Sequence, residues 1–550
     1  MKAKRNLFYK IVGVSLVIVA LIFAIGQRDI YREIENSISL YNQVYKQVFT
    51  NYVEPIKPEK YTEESINLML EQLDPYTELL NLEQRESIDM MTEGEYGGVG
   101  MRISKYNDTI TVISPIDGSP AFRAGIRPGD QILMIDTLNI VGMSLGEAAR
   151  KIRGKVGTKV KLIIRRPGVF EKMEYELTRE KIQIHDISYA GYVDEGVFYL
   201  RLSDFSRGAS REIKETLTKK AGIDNLKALI LDLRGNPGGL LDEAIKVAEL
   251  FTDPGDTLLF TRGRVPTANR YFISRRKPIV GNSVKMAVLI DRGSASASEI
   301  IAGIVQDLDR GVVIGSRSFG KGLVQTVFKL DDKHTLKITT AKYFTPSGRL
   351  IQKSGFIRNP EVVVSDVEED SVFYSKNGRR LKSHGGIYPD IVIEGERLAP
   401  IVQALWRDNF FYSFAINYMS KHEDIPEPIV VDDKMLKEFK EYVKEKGFDF
   451  QFDVERTLRK VEEKLKSDER FNGVVDFSKI YEKYRDMKEE EWNKNVEQIK
   501  LGIKAELGML KGGLAGRIKA TLSDDKVVAK AIEILKDEIS YANILGYRNE

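Results

Sequence analysis

Three short stretches of this 550-residue chain place reactive or hydrogen-bonding groups where loops meet regular elements. The first is SASASE, residues 294–299, where Ser294, Ser296 and Ser298 alternate with Ala295 and Ala297. VLIDRG before it reads as strand and turn, and apolar residues at 300, 301, 304 and 305 have helical spacing. A hydroxyl at such a junction faces helix N–H groups that lack internal partners and carry partial positive charge. It can attack a carbonyl while those groups receive the oxyanion. A helix-capping serine is the competing reading, and would account for one of the three.

A serine nucleophile needs a base. His185, His334, His384 and His422 are the only histidines, and none lies in a glycine-rich loop. A Ser-His-Asp arrangement therefore stays open without positive support, since its members need not be near in sequence. The second stretch, SFGKGLVQTVFKL (318–330), offers Lys321 between two glycines. Close backbone packing desolvates an amine and lowers its pKa toward neutrality, where it can take a proton. Gln325 follows four residues later, and a strand beginning at the lysine would put both side chains on one face.

The third stretch is DLRGNPGG, 232–239, a strand running into a turn where Gly238 and Gly239 can present backbone N–H groups as a further oxyanion donor. A plain strand-to-helix loop is the alternative. Gly315 to Gly322 also comes close to a phosphate loop, but position 322 is glycine where a metal-binding hydroxyl belongs, and strand follows where a helix is required.

The elements that must hold these groups alternate. GVFYLRLSDF, KALILDLRG, KMAVLIDRG, GVVIGSRSFGKG and TLKITTAKYFTPSG read as strands between helices such as LLDEAIKVAELF and SEIIAGIVQDL, with GGIYPDIVIE (385–394) closing the set. That implies an α/β core over 182–395, with a mixed sheet containing parallel pairs. Before it, residues 91–181 read as about five short strands and two helices, with Ser144 capping the second helix. This segment resembles a PDZ domain. Gly98, Val99, Gly100 and Met101 fall where PDZ domains carry their carboxylate-binding loop, and Ala124-Gly125-Ile126 with Gly129-Asp130 also match. Such a loop offers N–H groups to a chain terminus while a strand edge and a helix grip the last side chains. A small β module without a ligand is the alternative.

Taken in order, a PDZ-like segment, LDLRGNPGG, GSASASE and SFGKGLVQ resemble the carboxy-terminal processing peptidases, or tail-specific proteases, over roughly residues 60–395. The resemblance implies a serine endopeptidase that cleaves proteins near a free C-terminus through an acyl-enzyme. It implies Ser296 as nucleophile, Lys321 as base 25 residues later and Gln325 as third member. The oxyanion donors would be the backbone of Ala297 and of the Gly238-Gly239 turn. The PDZ-like module would capture the tail and gate the site by moving; no metal or cofactor is needed. A non-catalytic PDZ scaffold for protein C-termini at the membrane is the rival.

The flanks are different. MKAKRNLFYK precedes IVGVSLVIVALIFAIG, residues 11–26, which carries no charge. A basic leader before an apolar run is an export signal, kept as an anchor or cut after Ala24-Ile25-Gly26. The expected location is the inner membrane facing the periplasm, or the periplasm if the signal is cleaved. Residues 27–90 read as amphipathic helix, and 396–550 as charged helix of mixed sign, a solvated face by default and the segment left for self-association or an adaptor. With 84 basic and 81 acidic side chains the net charge is +3, so no nucleic-acid partner is expected. The chain has no cysteine, which excludes disulfides, thiolate nucleophiles and cysteine-ligated zinc.

Overall fold

A computed structural model describes residues 31–547 apart from 107, 168, 354, 356–371, 384, 423–424, 469 and 471–474. The expected export segment, 11–26, lies outside the described residues. Among those described, no helix is long and apolar enough to cross a membrane.

The described residues up to Leu79 form one unit and those from Leu80 onward another. In the first, residues 31–51 are helical and are followed by α1 (Pro58–Leu70), which starts on a proline whose missing N–H costs a helix nothing at its first position. The Tyr45 hydroxyl meets Thr62 Oγ1 at 2.8 Å and Phe49 meets Tyr61 edge-on, so the two helices form a hairpin.

The second unit begins with α2 (Leu82–Glu93), capped reciprocally by Asn81 and Gln84. The PDZ-like module follows. β1 (Glu95–Gly98) pairs with the later β7. β2 (Met101–Tyr106), β3 (Thr109–Pro115), β4 (Gln131–Ile135), β5 (Lys159–Arg165) and β6 (Lys172–Thr178) form an antiparallel sheet in that order. Helix α3 (Leu145–Ile152) starts at Ser144, whose side chain accepts from Glu147 N–H, as the cap pattern predicts. β7 (Glu180–Gln183) leads into the core.

The core sheet runs β8 (Ile187–Asp194), β9 (Val197–Leu202), β10 (Ala228–Asp232), β13 (Lys285–Ile290), β14 (Val312–Gly315), β17 (Ile391–Val392), and only the β8–β9 pair is antiparallel. Helix α4 (Leu241–Ala248) follows β10. The strands β11 (Thr257–Gly263) and β12 (Arg270–Ile273) leave for a second, antiparallel sheet. The chain returns as β13 (Lys285–Ile290), then α5 (Ala297–Asp307) and β14 (Val312–Gly315). β15 (Leu323–Lys329) and β16 (Thr335–Phe344) join the second sheet, and β17 (Ile391–Val392) is the short closing strand beside β14. β10 and β13 are buried on both faces, the pattern of a parallel strand under two layers. α4 and α5 cover one face, burying Leu231, Val288, Ile301 and Val305 together.

The other face is covered by the C-terminal segment. α6 (Phe410–Lys421) and α7 (Val496–Thr521) form their own apolar core around Phe411, Phe414, Ile503 and Leu507. α7 breaks at Gly512 and Gly513, and beyond it α8 (Lys526–Lys536) and α9 (Glu538–Ile544) lie on the sheet. Val528, Ala531, Leu535 and Tyr541 pack with Tyr199, Ile230, Ala287 and Leu289. α6 also holds the PDZ-like module: Tyr412 Oη donates to Val112 O at 3.1 Å and its ring stacks on Tyr106. The charged helices are therefore a third layer of the fold.

Candidate active site

The serine loop, the lysine loop and the glycine turn converge on one cavity of about 550 Å³. Ser296, Ala297, Gly238, Gly239, Lys321 and Gln325 all line it.

Among the three serines the backbone decides which faces the cavity. Ser294 and Ser298 are wholly buried, and their hydroxyls donate to Leu233 O at 2.8 Å and Asn236 O at 3.0 Å. They lace the serine loop to the glycine turn. Ser296 is half-buried on the cavity wall and begins α5 with φ +53° and ψ −112°. That conformation costs an L-residue roughly 1–3 kcal/mol and survives only where the surroundings enforce it. The enforcement comes from Ala295 N–H donating to Asn236 O at 3.0 Å. It comes also from Asp291 Oδ1, which accepts from Gly235, Gly293 and Ser294 N–H at 2.8, 2.9 and 3.1 Å.

Sequence reasoning passed over Glu299, the last residue of SASASE. It is fully buried, and one carboxylate oxygen accepts from both Ser296 N–H and Lys321 N–H, each at 2.9 Å. The two peptide nitrogens are thus no farther apart than twice that distance. The other oxygen accepts from Gly320 N–H at 2.7 Å and from the Ser318 hydroxyl. Burial pushes the Glu299 carboxyl up to about 7, against these four bonds, which favour the ionised form. Tyr343 adds a second brace: its hydroxyl lies 2.6 Å from Lys321 O and 3.2 Å from Ser296 O. The sequence signal for Glu299 was an acid three residues into a helix, the capping position. Tyr343 had none, since only the pairing of β15 with β16 brings it there.

β15 begins at Leu323, so Lys321 sits in the loop before it, and a bulge falls between Val324 and Gln325. Alternation cannot be counted from the lysine, because Lys321 precedes the strand; the extra residue of the bulge, Thr340, lies on β16. Gln325 nevertheless lines the same cavity, with its amide nitrogen 3.3 Å from Thr339 Oγ1.

The glycine turn needs its glycines. A Cβ on Gly238 would stand 2.8 Å from Ala295 O and 2.9 Å from both Ala297 N and Ser296 Cβ, and φ there is +105°. Gly238 N–H donates to Asn236 Oδ1 at 2.9 Å, so it is not open to a ligand. Among the described residues, Gly239 N–H and Ala297 N–H have no acceptor. The geometry therefore narrows the donor pair expected from sequence to these two.

The rival readings find no such convergence. His185 pairs with Glu212, His334 with Asp331, and His422 stacks on Tyr418; none lines the cavity, and His384 lies outside the described residues. The stretch resembling a phosphate loop runs from β14 into β15, with no helix for a phosphate to cap.

In the PDZ-like module a groove of about 580 Å³ is lined by Val99, Gly100, Met101 and Ile103, and by Leu145 and Ala149 of α3. Gly98 closes β1 against the Tyr96 ring and does not line the groove.

Three family models match parts of the chain. A model described as peptidase family S41 matches residues 196–362, a PDZ domain model matches 111–166, and one described as a probable PDZ-protease C-terminal helical domain matches 401–535. A carboxy-terminal-processing protease of Bartonella bacilliformis is 37% identical over 374 residues, covering 66% of this chain and 82% of that one. A probable CtpA-like serine protease of Staphylococcus aureus is 34% identical over 388 residues, covering 69% and 76%. Among solved structures, the photosystem II D1 C-terminal processing protease aligns over 64% of this chain and 86% of that one at 27% identity and a TM-score of 0.36. On the strength of a relative matched along four-fifths of its length, the chain belongs to the carboxy-terminal-processing serine proteases of peptidase family S41.

Proposed function

We propose that this protease hydrolyses peptide bonds near the free C-terminus of protein substrates, with Ser296 as nucleophile and Lys321 as its base. Ser296 Oγ adds to the scissile carbonyl as its proton passes to the uncharged Lys321 amine. The oxyanion is held by Ala297 and Gly239 N–H. Lys321 returns the proton to the leaving amine as the C–N bond breaks, leaving an acyl-Ser296 ester. Water, deprotonated by the same amine, then releases the acid and restores the serine. Gln325 orients the amine from the next strand.

The observation that supports this reading is that six residues from three distant stretches line one cavity around a serine held in a disfavoured backbone conformation. The PDZ-like groove, mostly apolar and beside a glycine loop, suits a tail ending in apolar residues. Gating by movement of that module belongs to the same proposal, as does export and membrane attachment through residues 11–26, with the catalytic body in the periplasm. The outward charged faces of the C-terminal helices remain the surface proposed for a second copy or an adaptor.

Digestion of an unstructured protein with and without an apolar free C-terminus tests the function. Wild type should cut only the first, and Ser296→Ala and Lys321→Ala should cut neither. Cleavage by Ser296→Ala at the wild-type rate, or equal cleavage of both substrates, would overturn it.

A further inference from the structure

The turn that carries Gly239 is held from behind by the C-terminal helical segment. Arg234, five residues earlier, has a side chain only 15% exposed and lies between two carboxylates. On one side is Asp232, fully buried at the end of β10, which accepts from Arg234 Nε at 3.0 Å and Nη2 at 2.6 Å. On the other is Asp525, 291 residues away in sequence, which accepts from Nη1 at 3.2 Å and Nη2 at 2.7 Å. The fork of the guanidinium is thus filled on both edges, the geometry in which arginine transmits orientation as well as charge.

Asp525 is itself fixed. It caps α8, accepting from Val527 N–H at 2.9 Å and Val528 N–H at 3.1 Å. α8 is anchored by Val528, Ala531 and Leu535 in the sheet face. From Arg234 the chain runs directly to Asn236, whose side chain donates to Leu202 O at 2.9 Å and accepts from Gly238 N–H. Asp232 alone, two residues from Arg234, cannot set the outer side of this turn, because both belong to the same stretch of chain. The turn is tied on its inner side to Leu202, Asp291 and the serine loop, and Asp525 adds a reference point from the helical segment.

We propose that Asp525 is a positioning residue of the active site. Through Arg234 it fixes the path of residues 233–239 and so the direction of Gly239 N–H toward the carbonyl bound at Ser296. The inference rests on the reading of Ser296 and Gly239 given above. It assigns the helical segment a part in the chemistry, although none of its residues lines the cavity. An oxyanion donor acts when charge develops on the carbonyl oxygen, so a misdirected one lowers kcat and leaves KM nearly unchanged.

The test uses the full chain and an unstructured fluorescence-quenched peptide with a free apolar C-terminus. Asp525→Asn keeps a good helix cap and removes the charge that binds the guanidinium. It should lower kcat about tenfold with KM within about twofold, and Asp525→Glu should restore most of the rate. Asp432→Asn, at a cap in the same segment where Asp432 accepts from Met435 N–H, is the control for helix capping and should leave kcat unchanged. Wild-type kcat in Asp525→Asn, or an equal loss in Asp432→Asn, overturns the proposal. If Asp525→Asn does not fold, Arg234→Lys reads the same point: it keeps the charge, loses the fork, and should show the same loss confined to kcat, whereas a wild-type kcat rejects the role. Full turnover by Ser296→Ala would instead remove the underlying site, whatever Asp525 does.

Discussion

A single buried carboxylate, that of Glu299, holds the peptide N–H groups of both Ser296 and Lys321. Glu299 therefore has two measurable signatures. Its folded pKa, about 7, lies above its ordinary 4.5, so the native state takes up a proton relative to the unfolded chain between those values. The stability this contributes is complete below 4.5 and is lost as pH rises through 7. Wild type measured against Glu299→Gln by urea unfolding should lose up to about 3 kcal/mol of relative stability between pH 4.5 and 8. A flat difference would show that Glu299 does not titrate in that window. The second signature is catalytic. Glutamine turns an N–H group toward the same donors, so above pH 7, where Glu299 is ionised, turnover should fall about a hundredfold, read as kcat. Gly238→Ala should cost at least as much, since the new methyl meets the serine loop at 2.8–2.9 Å and its φ is unsuited to alanine. Wild-type turnover in that variant would mean the turn can move aside.

At the level of elements, what could be read from sequence was what is encoded locally. Ser144 as a cap, the run of strands, and the three glycine- or serine-bearing loops depend on residues within a few positions of one another. The strand after Lys321 starts at Leu323 rather than at the lysine, and the bulge opposite Val324 and Gln325, at Thr340, depends on strand pairing that sequence does not show. Choosing Ser296 among three serines by geometry needed the contacts of Ser294 and Ser298 with a turn some sixty residues away, with 61 and 62 intervening steps. The coverage of β13 is another long-range matter. Met286 N–H donates to Tyr541 Oη at 2.9 Å, and the ring is buried against the sheet. Tyr541→Phe leaves that N–H without its acceptor and should cost about 1–3 kcal/mol in urea unfolding, with kcat unchanged. No loss of stability would show that the bond between helix and strand is dispensable.

Across the molecule, the C-terminal 150 residues looked like solvated helices because their charge pattern dominates their composition. Their apolar residues become meaningful only beside the sheet face that Tyr199, Ile230, Ala287 and Leu289 leave to be covered. Deleting residues 396–550 should therefore yield an aggregating core that binds an apolar dye, rather than a soluble enzyme with altered regulation. A monomeric, fully active truncation would contradict that layer arrangement. Deleting 95–181 should instead change turnover on tailed substrates, and an unchanged rate would remove the PDZ-like module from substrate capture.

The central claim, an alcohol activated by a neighbouring uncharged amine, is reached most directly by covalent labelling. Wild type treated with a fluorophosphonate should gain one adduct by intact mass, mapping to Ser296. Ser296→Ala should gain none, and Lys321→Ala should label at least about a thousandfold more slowly. Labelling of Ser296→Ala, or of Lys321→Ala at the wild-type rate, would contradict the account.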